Sequence, residues 1–102
     1  MALDFTNIRD EPGAAIYFMH DGTPVGEQDM QRLMSDVQEI TKKQCVLLDI
    51  KSDAGRKIVE FYALRGTHMV VIVRDDDQLH HVWSDGERFD AGRIAYSADR
   101  AG

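Results

Sequence analysis

Four short apolar runs set the rhythm of the chain: AAIYFMH at 14–20, QCVLLDI at 44–50, HMVVIVR at 68–74 and LHHVWS at 79–84. The first three are continuous rather than alternating, which suits strands covered on both faces. The first two runs are separated by a segment of helical period. Met30, Leu33, Met34, Val37 and Ile40 fall along one face from Glu27 to Lys43, and a core-facing helix explains that stripe better than a partner-binding face. Thr23 can cap this helix, and Pro24 fits its first turn. Glu27 and Asp29 at its start and Lys42 and Lys43 at its end suit the helix dipole. The segment SDAGRKIVEFYALRG predicts a second helix capped by Asp53 and stopped by Gly66, with Ile58, Phe61, Tyr62 and Leu64 on its apolar side. DDDQ reads as the turn of a hairpin. FDAGRIAYSADRAG predicts a last helix capped by Asp90, with Phe89 and Ile94 facing inward. DAGR occurs at 53–56 and again at 90–93, as two similar helix starts rather than an internal repeat. In the first thirteen residues, Leu3 and Phe5 alternate as in a short edge strand, and Glu11-Pro12-Gly13 signals a turn.

The resulting order is (β)-β-α-β-α-β-β-α. Strand–helix–strand spacing in the first half implies parallel strands joined by crossover helices. The hairpin makes the last pair antiparallel, so the sheet is mixed, with helices on both faces. A length of 102 residues implies a single domain, 1–102, able to bury a real core. A formal net charge of -6 argues against a nucleic-acid partner. The longest apolar run, MVVIV, is too short to span a bilayer, and no basic leader precedes an apolar stretch. The expectation is a cytoplasmic protein away from the membrane. The single cysteine, Cys45, excludes an internal disulfide and a cysteine-built zinc site.

Two stretches carry a more specific likeness. Tyr62-Ala63-Leu64-Arg65-Gly66-Thr67-His68-Met69 runs into VVIV and then RDDDQL. It resembles the thioredoxin segment aromatic-x-hydrophobic-Arg-Gly-x-Pro-Thr that leads into a strand, a turn and another strand. Asp21-Gly22-Thr23-Pro24-Val25 falls where thioredoxins carry tryptophan-cysteine-glycine-proline-cysteine, and keeps only the proline. The resemblance covers roughly Ala14 to Ser97. It implies a thioredoxin-like three-layer α/β/α sandwich with a central mixed sheet of four or five strands.

The departures matter more for function. The family's two cysteine positions are Gly22 and Val25, and neither can form the thiolate that attacks a disulfide. The buried carboxylate six positions before the first cysteine corresponds to Ile16, and its neighbouring lysine to Leu47. His68 stands at the cis-proline position. A cis bond before a non-proline residue costs roughly 2.5–4 kcal/mol, so a trans Thr67–His68 bond is expected, with a reshaped peptide groove.

The remaining candidates are few. Cys45 reads as an inert thiol of a central strand. His80 and His81, adjacent on a strand, point to opposite faces and do not share a metal. His20 and His68 flank the Asp21–Val25 loop, where with Asp21 they are candidates for weak metal binding or a pH response. Residues 22–26, GTPVG, lack the lysine and spacing of a phosphate loop, and Asp21, Glu27 and Asp29 oppose an anion. Trp83 is expected to pack under the last helix.

Two readings of function compete, beside a blander third in which the chain is a stand-alone fold-stable protein, or an oligomer subunit, with no active site at this loop. In the preferred one the domain has no dithiol redox activity, needs no cofactor or metal, and is not an enzyme. It binds an unidentified protein through Asp21, Gly22, Thr23, Pro24, Val25, Thr67, His68 and Asp85, as a monomer or weak homodimer. In the other it is an enzyme acting through Cys45 or through His20 and His68.

Overall fold

A computed structural model describes residues 13–84 and 88–101. The expected strand at Leu3–Phe5, the residues Glu11 and Pro12 of the first turn, and the site candidate Asp85 lie outside the described residues. The elements are β1 (Ala15–His20), α1 (Pro24–Gln38), β2 (Gln44–Asp49), α2 (Asp53–Phe61), β3 (Met69–Val73), β4 (Leu79–Trp83) and α3 (Ala91–Asp99).

The strands form a four-stranded sheet in the order β2-β1-β3-β4. β1 runs parallel to β2, with Ala15 opposite Gln44 and His20 opposite Asp49. β1 is antiparallel to β3, and β3 to β4, with a register shift between Ile72 and Val73. The mixed sheet and the terminal hairpin are as the pattern predicts. Alternation splits the core in two. Ile16, Phe18, Val70, Ile72 and Trp83 pack with Met30 and Val37 of α1 and Ile94, Ala95 and Ala98 of α3. Tyr17, Met19, Val71 and Val73 pack on the other face with Ile58 of α2. Every residue of β1 and β3 is buried, which explains why their sequences show no alternation.

Several boundaries differ from the sequence reading. α1 ends at Gln38, not Lys43, and has no basic residue in its last turn. The amides of Ile40 and Thr41 both bond to the Val37 carbonyl, closing the helix. Thr41 is then buried, and its hydroxyl bonds Asp99 of α3 at 2.6 Å. This tertiary tie outweighs the helical period and leaves Ile40 57% exposed rather than in the core. Ser52, not Asp53, caps α2: its hydroxyl accepts from the Gly55 amide at 3.0 Å and donates to the Asp49 carbonyl at 2.6 Å. α2 stops at Phe61, well before Gly66. Ala63 takes φ +52° in the left-handed region, and the Leu64 amide reaches back to the Val59 carbonyl. Phe61 consequently lies on the surface, edge-on to Tyr62. Cys45 is not in a central strand, because β2 is an edge of the sheet among the described residues. The cap of α3 is Asp90 as expected, accepting from the Arg93 amide at 3.1 Å.

Candidate functional site

β1 and β2 are parallel neighbours, so their C-terminal ends open on the same edge of the sheet, where sites of α/β folds gather. The loop Asp21–Thr23 starts there and runs into α1. Its geometry follows from short polar side chains bonding their own backbone. The Asp21 Oδ1 accepts from the Thr23 amide at 3.0 Å and from the Thr23 hydroxyl at 2.6 Å. The Thr23 oxygen in turn accepts from the Gly26 amide at 3.0 Å, capping α1. Hydrogen bonds from the Thr23 hydroxyl and amide, with a smaller pull from His68, hold the Asp21 carboxyl below its usual value of 3.8.

The two histidines of the loop region serve different contacts. His20 is buried, and its Nδ1 accepts from the Gly22 amide at 3.0 Å. That bond requires the proton of a neutral ring to sit on Nε2. His68 arrives from the other side of the sheet, just before β3. Its Nε2 lies 3.6 Å from Asp21 Oδ1, and its Nδ1 lies 3.2 Å from the Thr67 hydroxyl. No cis peptide bond occurs among the described residues, so Thr67–His68 is trans as expected. Among the described residues no group of three or more His, Cys, Asp or Glu side chains is placed to hold a metal ion.

Two glycines make this arrangement fit. Gly22 sits at φ +86°, and a Cβ there would lie 2.8 Å from the Asp49 carboxylate. A Cβ on Gly26 would meet Asp21 Oδ1 at 2.4 Å, His68 Nε2 at 2.6 Å and Thr23 Oγ1 at 2.9 Å. Asp21, Thr23 and His68 thus converge over the first turn of α1. Pro24 and Val25 stand beside them on the surface, Val25 68% exposed.

Of the sequence candidates, the structure brings together Asp21, Thr23 and His68, with Thr67 against the far ring nitrogen. It leaves Pro24 and Val25 pointing to solvent and turns His20 toward the loop backbone. Cys45 is remote. It pairs with Ile16, four positions before the loop end of the strand, about 13 Å away at strand rise. Burial pushes its thiol up to about 11, so little thiolate forms near neutral pH. His80 is half-buried and His81 exposed, with the His81 ring 4.1 Å from that of Trp83. Trp83 packs under α3, as expected.

The sequence reading missed Asp49, which faces Gly22 and accepts from the Lys51 amide at 2.8 Å. An acidic residue closing a parallel strand beside β1 was the available signal. It also missed a groove of about 560 Å³ between α1 and Phe89, reached by His68. That groove needs Phe89 folded back against α1, which helical periodicity does not reveal.

No protein-family model matches the sequence, and no curated protein matches it. The fold does have solved counterparts. A thioredoxin from Fasciola hepatica superposes with a TM-score of 0.62 at 10% identity, over 91% of this chain and 85% of its own. A cysteine-to-serine mutant of an Entamoeba histolytica thioredoxin gives 0.61 at 14% identity, over 95% and 90%. Thioredoxin O2 from Arabidopsis thaliana, in the oxidized state, gives 0.62 at 6% identity, over 94% and 81%. At such identities it is the path of the chain that is shared. With two helices on one face of a mixed sheet, one on the other and a helix-starting proline at its edge, this chain adopts the thioredoxin fold.

Proposed function

We propose that this domain binds a partner protein through the loop at the start of α1 and does not carry out dithiol exchange. One observation carries the reading. The first sulfur position is Gly22, held at φ +86° with the Asp49 carboxylate where a side chain would begin. The second is Val25, an exposed apolar side chain. A loop built for a thiolate needs the reverse: a side chain at the first position and an electropositive setting. Here Asp21 and Asp49 make it electronegative.

The binding surface in this reading comprises Asp21–Val25 with Thr67 and His68. Gly22 and Val25 supply backbone and apolar contact, and Asp21 and His68 supply polar contact. The reading places the protein in the cytoplasm, where a lone free thiol stays reduced. A redox role for Cys45 has less support, since burial raises its pKa and it lies far from the loop.

Two measurements test the proposal together. In a disulfide-reduction assay on insulin, the protein and its Cys45→Ser variant are expected to match buffer. In affinity capture, a partner held by the wild type is expected to be lost by Pro24→Ala/His68→Ala. Thiol-dependent turnover that disappears with Cys45→Ser overturns the redox part. Capture that is indifferent to the double variant overturns the loop.

A further inference from the structure

The groove between α1 and Phe89 adjoins the loop but is built differently. Its floor is apolar: Met30 is buried, and Leu33 and Phe89 pack against the core beneath it. Its rim is charged, with Asp29, Arg32 and Asp36 on α1 and His68 at the loop end. Asp29 and Asp36 are two turns apart on one helix face, about 10 Å. Arg32 stands between them, so two carboxylates outweigh one guanidinium. Asp21, 3.6 Å from His68, adds a third carboxylate at that end.

This charge balance selects the occupant. An anionic ligand meets the carboxylates. A second copy of the chain carries a net charge of -6 and is repelled. A volume of about 560 Å³ takes a few side chains rather than a whole helix. An extended segment fits best. Its alternate residues share a face, so a lysine, an apolar residue and a second lysine at positions j, j+2 and j+4 all turn toward α1. They span about 13 Å, which flexible lysine stems reconcile with the spacing of Asp29 and Asp36.

We infer that this groove receives an extended basic segment of a partner protein, with its apolar residue on Met30, Leu33 and Phe89 and its flanking cations on Asp29 and Asp36. The inference rests on the interaction reading above and names the chemistry of the partner. It adds a surface whose lining has only His68 in common with the loop, with Asp21 beside it.

The test uses the full chain and a fluorescein-labelled peptide, Gly-Lys-Ser-Leu-Ser-Lys-Gly, at low salt. Two control peptides replace both lysines by glutamate, or the leucine by serine. Saturable anisotropy is expected for the first peptide alone, with backbone resonances of Met30 and Leu33 shifting. Asp29→Asn/Asp36→Asn is expected to weaken binding about tenfold. Both acids are exposed, so the variant keeps its fold, as circular dichroism will report. Three results overturn the inference: no saturation at millimolar peptide, equal binding of the glutamate peptide, or unchanged affinity in the double variant. Shifts confined to Gly22–Val25 also overturn it, while leaving the loop reading in place. So does absent peptide binding when partner capture still depends on Pro24 and His68.

Discussion

α1 and α2 begin with the same device and put it to different ends. In each, a hydroxyl residue caps the helix by accepting from a glycine amide three positions on: Thr23 from Gly26, and Ser52 from Gly55, both at 3.0 Å. In each, the glycine is there because something occupies the space of a Cβ. At Gly55 that something is backbone, with the Asp49 carbonyl oxygen only 2.0 Å from where the Cβ would sit. At Gly26 it is the side-chain atoms of Asp21, His68 and Thr23. A carbonyl between a strand and a helix cannot retreat, whereas side chains can. The start of α2 is therefore a fixed joint, and the start of α1 is a polar cluster whose side chains have room to rearrange.

The most severe way to sharpen this contrast is alanine at each glycine. Gly55→Ala forces β2 and α2 apart and is expected to cost about 3 kcal/mol, read from denaturant unfolding. Gly26→Ala is expected to cost under about 1 kcal/mol, since the side chains swing aside and alanine favours the helix. Its signature is spectroscopic: the His68 ring resonances lose their dependence on Asp21. Equal losses at the two glycines would break the comparison.

Removing the caps comes next. Ser52→Ala loses both the cap and the bond to the Asp49 carbonyl, at about 2 kcal/mol, while Thr23→Ala is expected near 1 kcal/mol. Urea midpoints of the two variants give the ranking. A larger loss at Thr23 would make the loop of α1 the more structural of the two.

The smallest effect is in acid. Asp21 has a native pKa held below 3.8, chiefly by the Thr23 hydroxyl. Its contribution to stability is complete above the unfolded value of about 3.9 and is lost as pH falls through the depressed native value. Asp21→Asn is therefore expected to flatten the loss of stability below pH of about 4 relative to wild type. Parallel acid unfolding curves for the two proteins would mean that the Asp21 network adds nothing.

The fold was legible because its strongest signals are local. The buried runs of β1 and β3, the Thr23–Pro24 helix start and the hairpin are all written in neighbouring residues. The misplaced boundaries turn on specific hydrogen bonds, one of them to a distant residue, that residue preferences do not rank. Thr41 ends its helix early through Asp99, and Ala63 and Leu64 close α2 by packing back on it. Ser52 outcompetes Asp53 because its hydroxyl serves both the Asp49 carbonyl and the Gly55 amide. The site was half legible for the same reason. Asp21 and Thr23 are neighbours in sequence, and His68 entered through its alignment with a proline. Asp49 and the groove against Phe89 depend on contacts across strands and between α1 and the segment before α3, which periodicity does not encode.

The geometry at Gly22 also limits what mutation can build there. Cysteine placed there alone would inherit a backbone at φ +86° and collide with the Asp49 carboxylate 2.8 Å away. The Asp49 carboxylate can swing aside, but the left-handed backbone penalises any side chain at position 22, and the second sulfur requires a further change at Val25. A single substitution at 22 or 25 therefore gives a lone thiol, at position 22 on a strained backbone, and a reactive pair needs both changes together.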